Sequence, residues 1–254
     1  MGEANKNLTY SPSLGKRLLA IQQEDFQKTV EYLRGLRTSE ELFSGHTKSL
    51  LRCSHKVAFT MHLWDQRLTD VPQWVLPYLR QLSSDTIQLV ASVTLGSRRT
   101  LHLYERASIE NFLRYIYFFD HPIEHILLQT QPKRFQSFDS LIEWIKNYPK
   151  LGPYRENVSY SCDELTSKYS ELSRTVHGTT ISDQELLTSL KSLHKPIDNP
   201  INEMNLIKSI FRNIFLLLSL FHWETFHNLS LDEQTVICQH FGDRERKILS
   251  GLNR

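Results

Sequence analysis

Apolar residues recur three and four positions apart along nearly the whole chain, and this period limits the fold more than any other feature. Period-two alternation of β-branched residues is short and rare, so the chain reads as all-α. Gly and Pro, nine of each in 254 residues, fall mostly between the periodic stretches. After a polar lead-in over residues 1–15, helices are expected from about Leu18 to Arg37 and from about Ser39 to Asp65. A short one is expected between Pro72 and Pro77, carrying Trp74, Val75, Tyr78 and Leu79. From Ser84 to Asp120 the periodicity is long, with Gly96 as the place where it breaks in two.

His121-Pro122 ends that run, because a residue before proline is pushed out of the helical region, and Pro122 suits the first position of a helix from Ile123 to Leu128. Another helix is expected from Phe138 to Tyr148. The stretch from Pro149 to Tyr160, with Gly152 and Pro153, reads as a loop or linker. Ser161-Cys-Asp-Glu has the capping-box pattern, which predicts a helix starting near Cys162 and ending at Gly178. Helices from Ser182 to Leu193, Asn202 to Phe226, Ser230 to Phe241 and Asp243 to Leu252 complete the chain, with Ser230-Leu-Asp-Glu as a second capping box.

Thirty Lys+Arg against 28 Asp+Glu leave a formal charge of +2, so no single-sign field draws the chain as a whole to nucleic acid or an anionic membrane. Electrostatic recognition must be local. Arg98-Arg99, Lys133-Arg134 and Arg244 with Arg246-Lys247 are the basic groups placed for phosphate contact. The opening residues lack a secretory pattern, and the apolar run from Ile214 to Phe221 falls short of the ~20 residues that cross a bilayer, so a buried core helix and a cytoplasmic location are expected. Cys53, Cys162 and Cys238 stand far apart, which encodes neither a disulfide framework nor a thiolate zinc site.

Phosphate loops, Gly-x-Ser-x-Gly and His-Glu-x-x-His are absent, and nothing calls for a cofactor or metal. His121 and His125 lie four apart, but Pro122 puts His121 at a helix boundary, where it reads as a capping or packing residue. His222 and His227 read as histidines at the edge of the core. The more pointed pattern is a pair of polar rows at four-residue spacing: Arg106, Glu110 and Arg114, and Tyr169, Ser173 and His177. If the two helices pack together, a guanidinium, a carboxylate, a hydroxyl and an imidazole are expected to meet. Such a group either does acid–base chemistry or locks a bundle.

The block Arg106-Ala-Ser-Ile-Glu-Asn-Phe-Leu-Arg-Tyr-Ile-Tyr is followed by Tyr169-Ser-Glu-Leu-Ser-Arg-Thr-Val-His-Gly and by Asn213-Ile-Phe-Leu-Leu-Leu-Ser-Leu-Phe-His. Over residues 84–226 the chain thereby resembles the HEPN-like helical superfamily, in particular its bacterial antiphage and toxin–antitoxin members. The resemblance implies an all-α helical bundle with a four-helix core over 84–254, preceded by N-terminal helices in 1–83 or continuous with them. It also implies frequent homodimerisation. Family members are metal-independent endoribonucleases or non-catalytic binding modules. The family's Arg-to-His spacing has one match here, Arg114 to His121, but Tyr115 and Pro122 depart from the usual pattern. A site is therefore expected first at Arg106, Glu110, Ser173 and His177, with His177 as general acid/base and Arg106 stabilising phosphorane charge. The primary expectation is an interaction or regulatory module of a defence system, binding a partner protein of that system, or RNA or DNA. The alternative is the endoribonuclease.

Overall fold

The computed structural model describes residues 16–35, 43–131, 136–178 and 195–251. Every regular element among them is helical: α1 (Lys16–Gly35), α2 (Gly45–Arg67), α3 (Leu76–Leu95), α4 (Arg98–Phe119), α5 (Pro122–Thr130) and α6 (Phe138–Lys146) come first. A 3-10 segment, Pro149–Tyr154, leads into α7 (Arg155–His177), then α8 (Pro200–Phe221), α9 (Trp223–Asn228), α10 (Leu231–Cys238) and α11 (Asp243–Gly251). The all-α expectation holds. The helix expected from Ser182 to Leu193, the residues before Lys16, and Lys133 and Arg134 lie outside the described residues.

Five long helices close a ring: α2 packs on α3, α3 on α4, α4 on α7, α7 on α8, and α8 back on α2. Thus α2, from the segment read as N-terminal, is part of the same ring, and residue 83 falls inside α3. The interior is filled by large side chains with almost no exposure, among them Trp64, Phe112, Tyr115, Phe211, Phe215 and Phe226. Each contributes ~1.5–3 kcal/mol by leaving water. Helix α8 is long and apolar enough to cross a membrane, more so than the eight-residue run suggested, and 67% of its most apolar window is buried within the ring. Its apolarity is met by α2, α7 and α4.

Local signals placed several boundaries as expected. Gly96 adopts the left-handed conformation (φ 68°) that ends α3, and Ser97 caps α4 by accepting from the Thr100 amide. Gly178 ends α7 in the same conformation, and the Ser230–Glu233 capping box is complete. His121 is the N-cap of α5 and Pro122 its first residue.

Elsewhere packing overrode the local pattern. Helix α7 starts at Arg155, about two turns before the expected Cys162, and the supposed linker is the 3-10 segment followed directly by helix. Val158, Ser161, Cys162 and Leu165 form one buried stripe at three- and four-residue spacing, so the helical period runs straight through the capping-box sequence. Ser161 is buried with its hydroxyl unpartnered rather than capping anything. No separate helix stands between Pro72 and Pro77; a turn there leads into α3, with Pro77 in its first turn.

Gly96 meets a second constraint, since a Cβ there would lie 1.7 Å from the Lys195 carbonyl oxygen. Gly45 has φ 52° with open space around it. Gly96→Ala is therefore expected to destabilise by more than the ~1–2 kcal/mol that a left-handed residue costs alone, while Gly45→Ala stays within it; urea unfolding of the two variants checks the difference.

Candidate functional site

Arg99 reaches the Val176 carbonyl at 2.9 Å and Arg106 reaches the Tyr169 hydroxyl at 2.7 Å. Seven residues up α4 match seven residues down α7, so the two helices run antiparallel. This register brings the polar rows together where Tyr169 lies. Arg106 Nη2 donates to Tyr169 Oη, and Tyr169 Oη–H donates to Glu110 Oε1 at 2.7 Å. Arg106 Nη2 also stands 3.0 Å from Glu110 Oε1, and Arg114 Nη2 stands 3.5 Å from Glu110 Oε2. The Arg106 guanidinium lies over the Tyr169 ring at 4.9 Å, and Phe138 stacks on that ring at 3.9 Å. Burial, together with the Glu110 acceptor, pushes the Tyr169 phenol above its ordinary range, so it stays a donor.

The hydroxyl in this cluster is Tyr169's, not Ser173's. Ser173 turns back to the Tyr169 carbonyl at 2.8 Å within its own helix. His177 is exposed in the last turn of α7, and eight residues of helix place it about 12 Å along the axis from Tyr169. The expected meeting of Arg106, Glu110, Ser173 and His177 thus reduces to Arg106 and Glu110, with Tyr169 and Arg114 added.

The alternative pair is also apart. His121 follows the end of α4, two turns beyond Arg114. Its ring stacks on Tyr117 at 4.0 Å and meets Trp144 edge-on at 4.9 Å, while Nδ1 donates to the Tyr117 carbonyl at 2.7 Å. His121 is a packing residue here. His125 meets Tyr78 and Phe118 edge-on. His222 and Tyr115 share a 2.7 Å hydrogen bond, and burial, aided by Lys150, lowers the His222 pKa to about 3, so the imidazole is neutral.

Arg98 and Arg99, placed for nucleic-acid contact, are both engaged within the chain. Arg99 braces the C-terminal end of α7 through two bonds to the Val176 carbonyl, and Arg98 Nε stands 2.9 Å from Glu203 Oε1. Glu203 Oε2 lies 2.6 Å from His102 Nε2, in a pair with almost no exposure. One turn on, Glu105 is completely buried and neither carboxyl oxygen has a partner. Burial pushes its pKa well above the usual range, with Glu203 and Glu171 adding to the effect. Sequence reasoning missed this group. Its one signal is an acid among Leu101, Ser108 and Phe112 on a buried stripe of α4.

Among the described residues no group of three His, Cys, Asp or Glu is placed to hold a metal ion. Burial raises the thiol pKa of Cys53 and Cys238 to about 11 and that of Cys162 to about 12, so none of them is an activated nucleophile.

Two outcomes follow. Tyr169→Phe removes the hydroxyl that joins Arg106 to Glu110 and is expected to cost ~1–2 kcal/mol in urea unfolding. Glu105 has a raised pKa when folded, so its contribution to stability is present below the unfolded pKa and lost as pH rises. Glu105→Gln is therefore expected to stabilise the protein near pH 7.5, with the gain shrinking toward zero by about pH 4; denaturant titrations at the two pH values check this.

The chain matches no family model, no curated protein and no solved structure.

Proposed function

We propose that this chain is an α-helical interaction or regulatory module, of the kind that serves antiphage or toxin–antitoxin systems, and that it binds a partner without catalysing a reaction. The observation that carries this reading is the pairing within the Arg106–Tyr169–Glu110–Arg114 cluster: Arg106 Nη2, Tyr169 Oη and both Glu110 oxygens are engaged with one another, Arg106 Nε is buried without a partner, and among the described residues no imidazole stands beside the group. Metal-free RNA cleavage needs a titratable group and a fixed cation on the same reacting phosphate. Here His177 is about two helical turns from the guanidinium, and His121 is packed between rings.

A surface suited to a protein partner lies at the far end of α4. Helix α5 has no buried residue, and Ile123 and Ile126 are 68% and 60% exposed. Helix α5 is held to the bundle by His125 against Tyr78 and Phe118. A short apolar helix left outside the core fits an apolar face on another protein of the same system.

The test joins both halves of the reading. Purified wild type and His177→Ala, each confirmed folded by circular dichroism, are incubated with total RNA in chelator; intact RNA from both is expected. Co-expression with the products of neighbouring genes is expected to give a complex that survives gel filtration and is lost in Ile123→Asp/Ile126→Asp. RNA fragments from wild type but not from His177→Ala would overturn the module reading in favour of a HEPN-type endoribonuclease.

A further inference from the structure

Helix α2 carries Arg52 and Lys56 and helix α8 carries Lys208 and Arg212, each pair four residues apart on one helix face. Like charges at that spacing repel, so each pair costs its own helix a few tenths of a kcal/mol. Packing of α2 on α8 places both pairs around a single cleft of about 380 Å³, closed by Gln239 and His240. A second hollow of about 350 Å³ adjoins it, sharing Arg52, Lys56 and Gln239, and is lined by Gln22 and His55. Either volume is within the range of small-molecule sites.

No Asp or Glu is among the described residues lining either hollow. Of the carboxylates close by, Asp25 lies 2.9 Å from His55 Nε2, and Glu245, whose Oε2 takes the Gly242 amide at 2.9 Å, makes a long ion pair of 4.0 Å with Arg212 Nε, so it offsets one of the four cations in part. The other titratable groups of the wall carry no compensating charge. The Cys53 thiol is raised to about 11 by burial, and the His240 imidazole, lowered to about 3 by burial and Lys56, stands neutral 2.9 Å from Thr60 Oγ1. Lys56 has its pKa lowered by burial and, with smaller effect, by Arg52 and Lys208, which shows the guanidinium and ammonium groups acting on one another. Three polar atoms of the walls are buried without a hydrogen-bond partner: Arg212 Nε, Gln22 Nε2 and His55 Nδ1. A concave, single-sign wall concentrates anions, and the orphaned donors Arg212 Nε and Gln22 Nε2 lack an acceptor, whereas His55, whose Nε2–H donates to Asp25, leaves Nδ1 as an unfilled acceptor.

We propose that this cleft binds a polyphosphoryl anion, its phosphoryl oxygens taken by Arg52, Lys56, Lys208 and Arg212. Guanidinium groups match phosphoryl oxygens in pairs and ammonium groups add point charges, so two of each around one cleft suit a phosphoryl chain better than a single carboxylate. A nucleic-acid strand fits less well. Strand-binding grooves offer exposed aromatic faces for stacking, whereas the aromatics here, Phe26 and Phe241, are buried. The source of the chain, free polyphosphate or a nucleoside polyphosphate, is decided by whether the adjoining hollow with Gln22 and His55 adds affinity.

The test is calorimetric titration of the full-length protein with sodium tripolyphosphate, and separately with ATP in chelator, at low and moderate salt. Saturable binding of tripolyphosphate that weakens as salt rises is expected. Lys56→Ala/Lys208→Ala is expected to weaken it at least about tenfold. Lys168→Ala, on α7 outside the cleft and paired with Glu171, should leave it unchanged. Because the double variant relieves repulsion, its melting temperature should equal or exceed wild type, which separates lost binding from lost folding. Tighter binding of ATP than of tripolyphosphate assigns the second hollow to a nucleoside, and equal binding assigns the site to the phosphoryl chain alone. Absence of tripolyphosphate binding in wild type, equal binding in the double variant, or binding only of an RNA oligomer would overturn the proposal.

Discussion

Helix α4 must pack against α3, α7 and α8 at the same time, and the polar side chains it carries are settled by that demand. Eleven of its 22 residues are buried, including His102, Glu105 and Ser108. A polar group carried into such a place has three outcomes: it finds a partner, bonds back to its own helix, or gives up its charge. All three occur on this one helix. His102 pairs with Glu203 at 2.6 Å, Ser108 returns to the Tyr104 carbonyl at 2.8 Å, and the unpartnered Glu105 is held protonated by burial.

The half-exposed side of α4 follows the same logic at lower cost. Arg106, Glu110 and Arg114 are partly exposed and paired along the helix, and Tyr169 from α7 supplies a hydroxyl that both accepts and donates. A phenol in that position serves a lock better than a serine, because its ring also packs against the Arg106 guanidinium and stacks with Phe138. The imidazoles are drawn away from the cluster by other needs. His121 is stacked with Tyr117, His222 is bonded to Tyr115, and His177 is left at the exposed end of α7.

What could be read in the residue string was what depends on near neighbours. Gly96 and Gly178 end helices because a left-handed residue stops the ladder, His121-Pro122 opens α5, and Ser230 with Glu233 closes a capping box. The same local reasoning misled at Ser161, whose capping pattern lies inside a stripe that packing keeps helical for 23 residues. The Arg106, Glu110 and Tyr169 rows were legible from four-residue spacing, but which members meet was fixed by the α4–α7 register, which no single-helix period contains. Distance along the chain hid the rest. Arg52 and Lys56 are about 150 residues from Lys208 and Arg212, and each pair alone looks like an ordinary solvated face, so the basic cleft emerges only when α2 meets α8. Glu203 and His102 are separated in the same way.

The central claim is that the α4–α7 cluster is a lock, with its charged groups coupled to one another rather than held in reserve for a substrate. A double-mutant cycle of Glu110→Gln and Tyr169→Phe, read by urea unfolding, measures that coupling directly. The account predicts an interaction free energy of about 1 kcal/mol between the two positions. Additive effects, or two variants as stable as wild type that lose a biological activity, would contradict it.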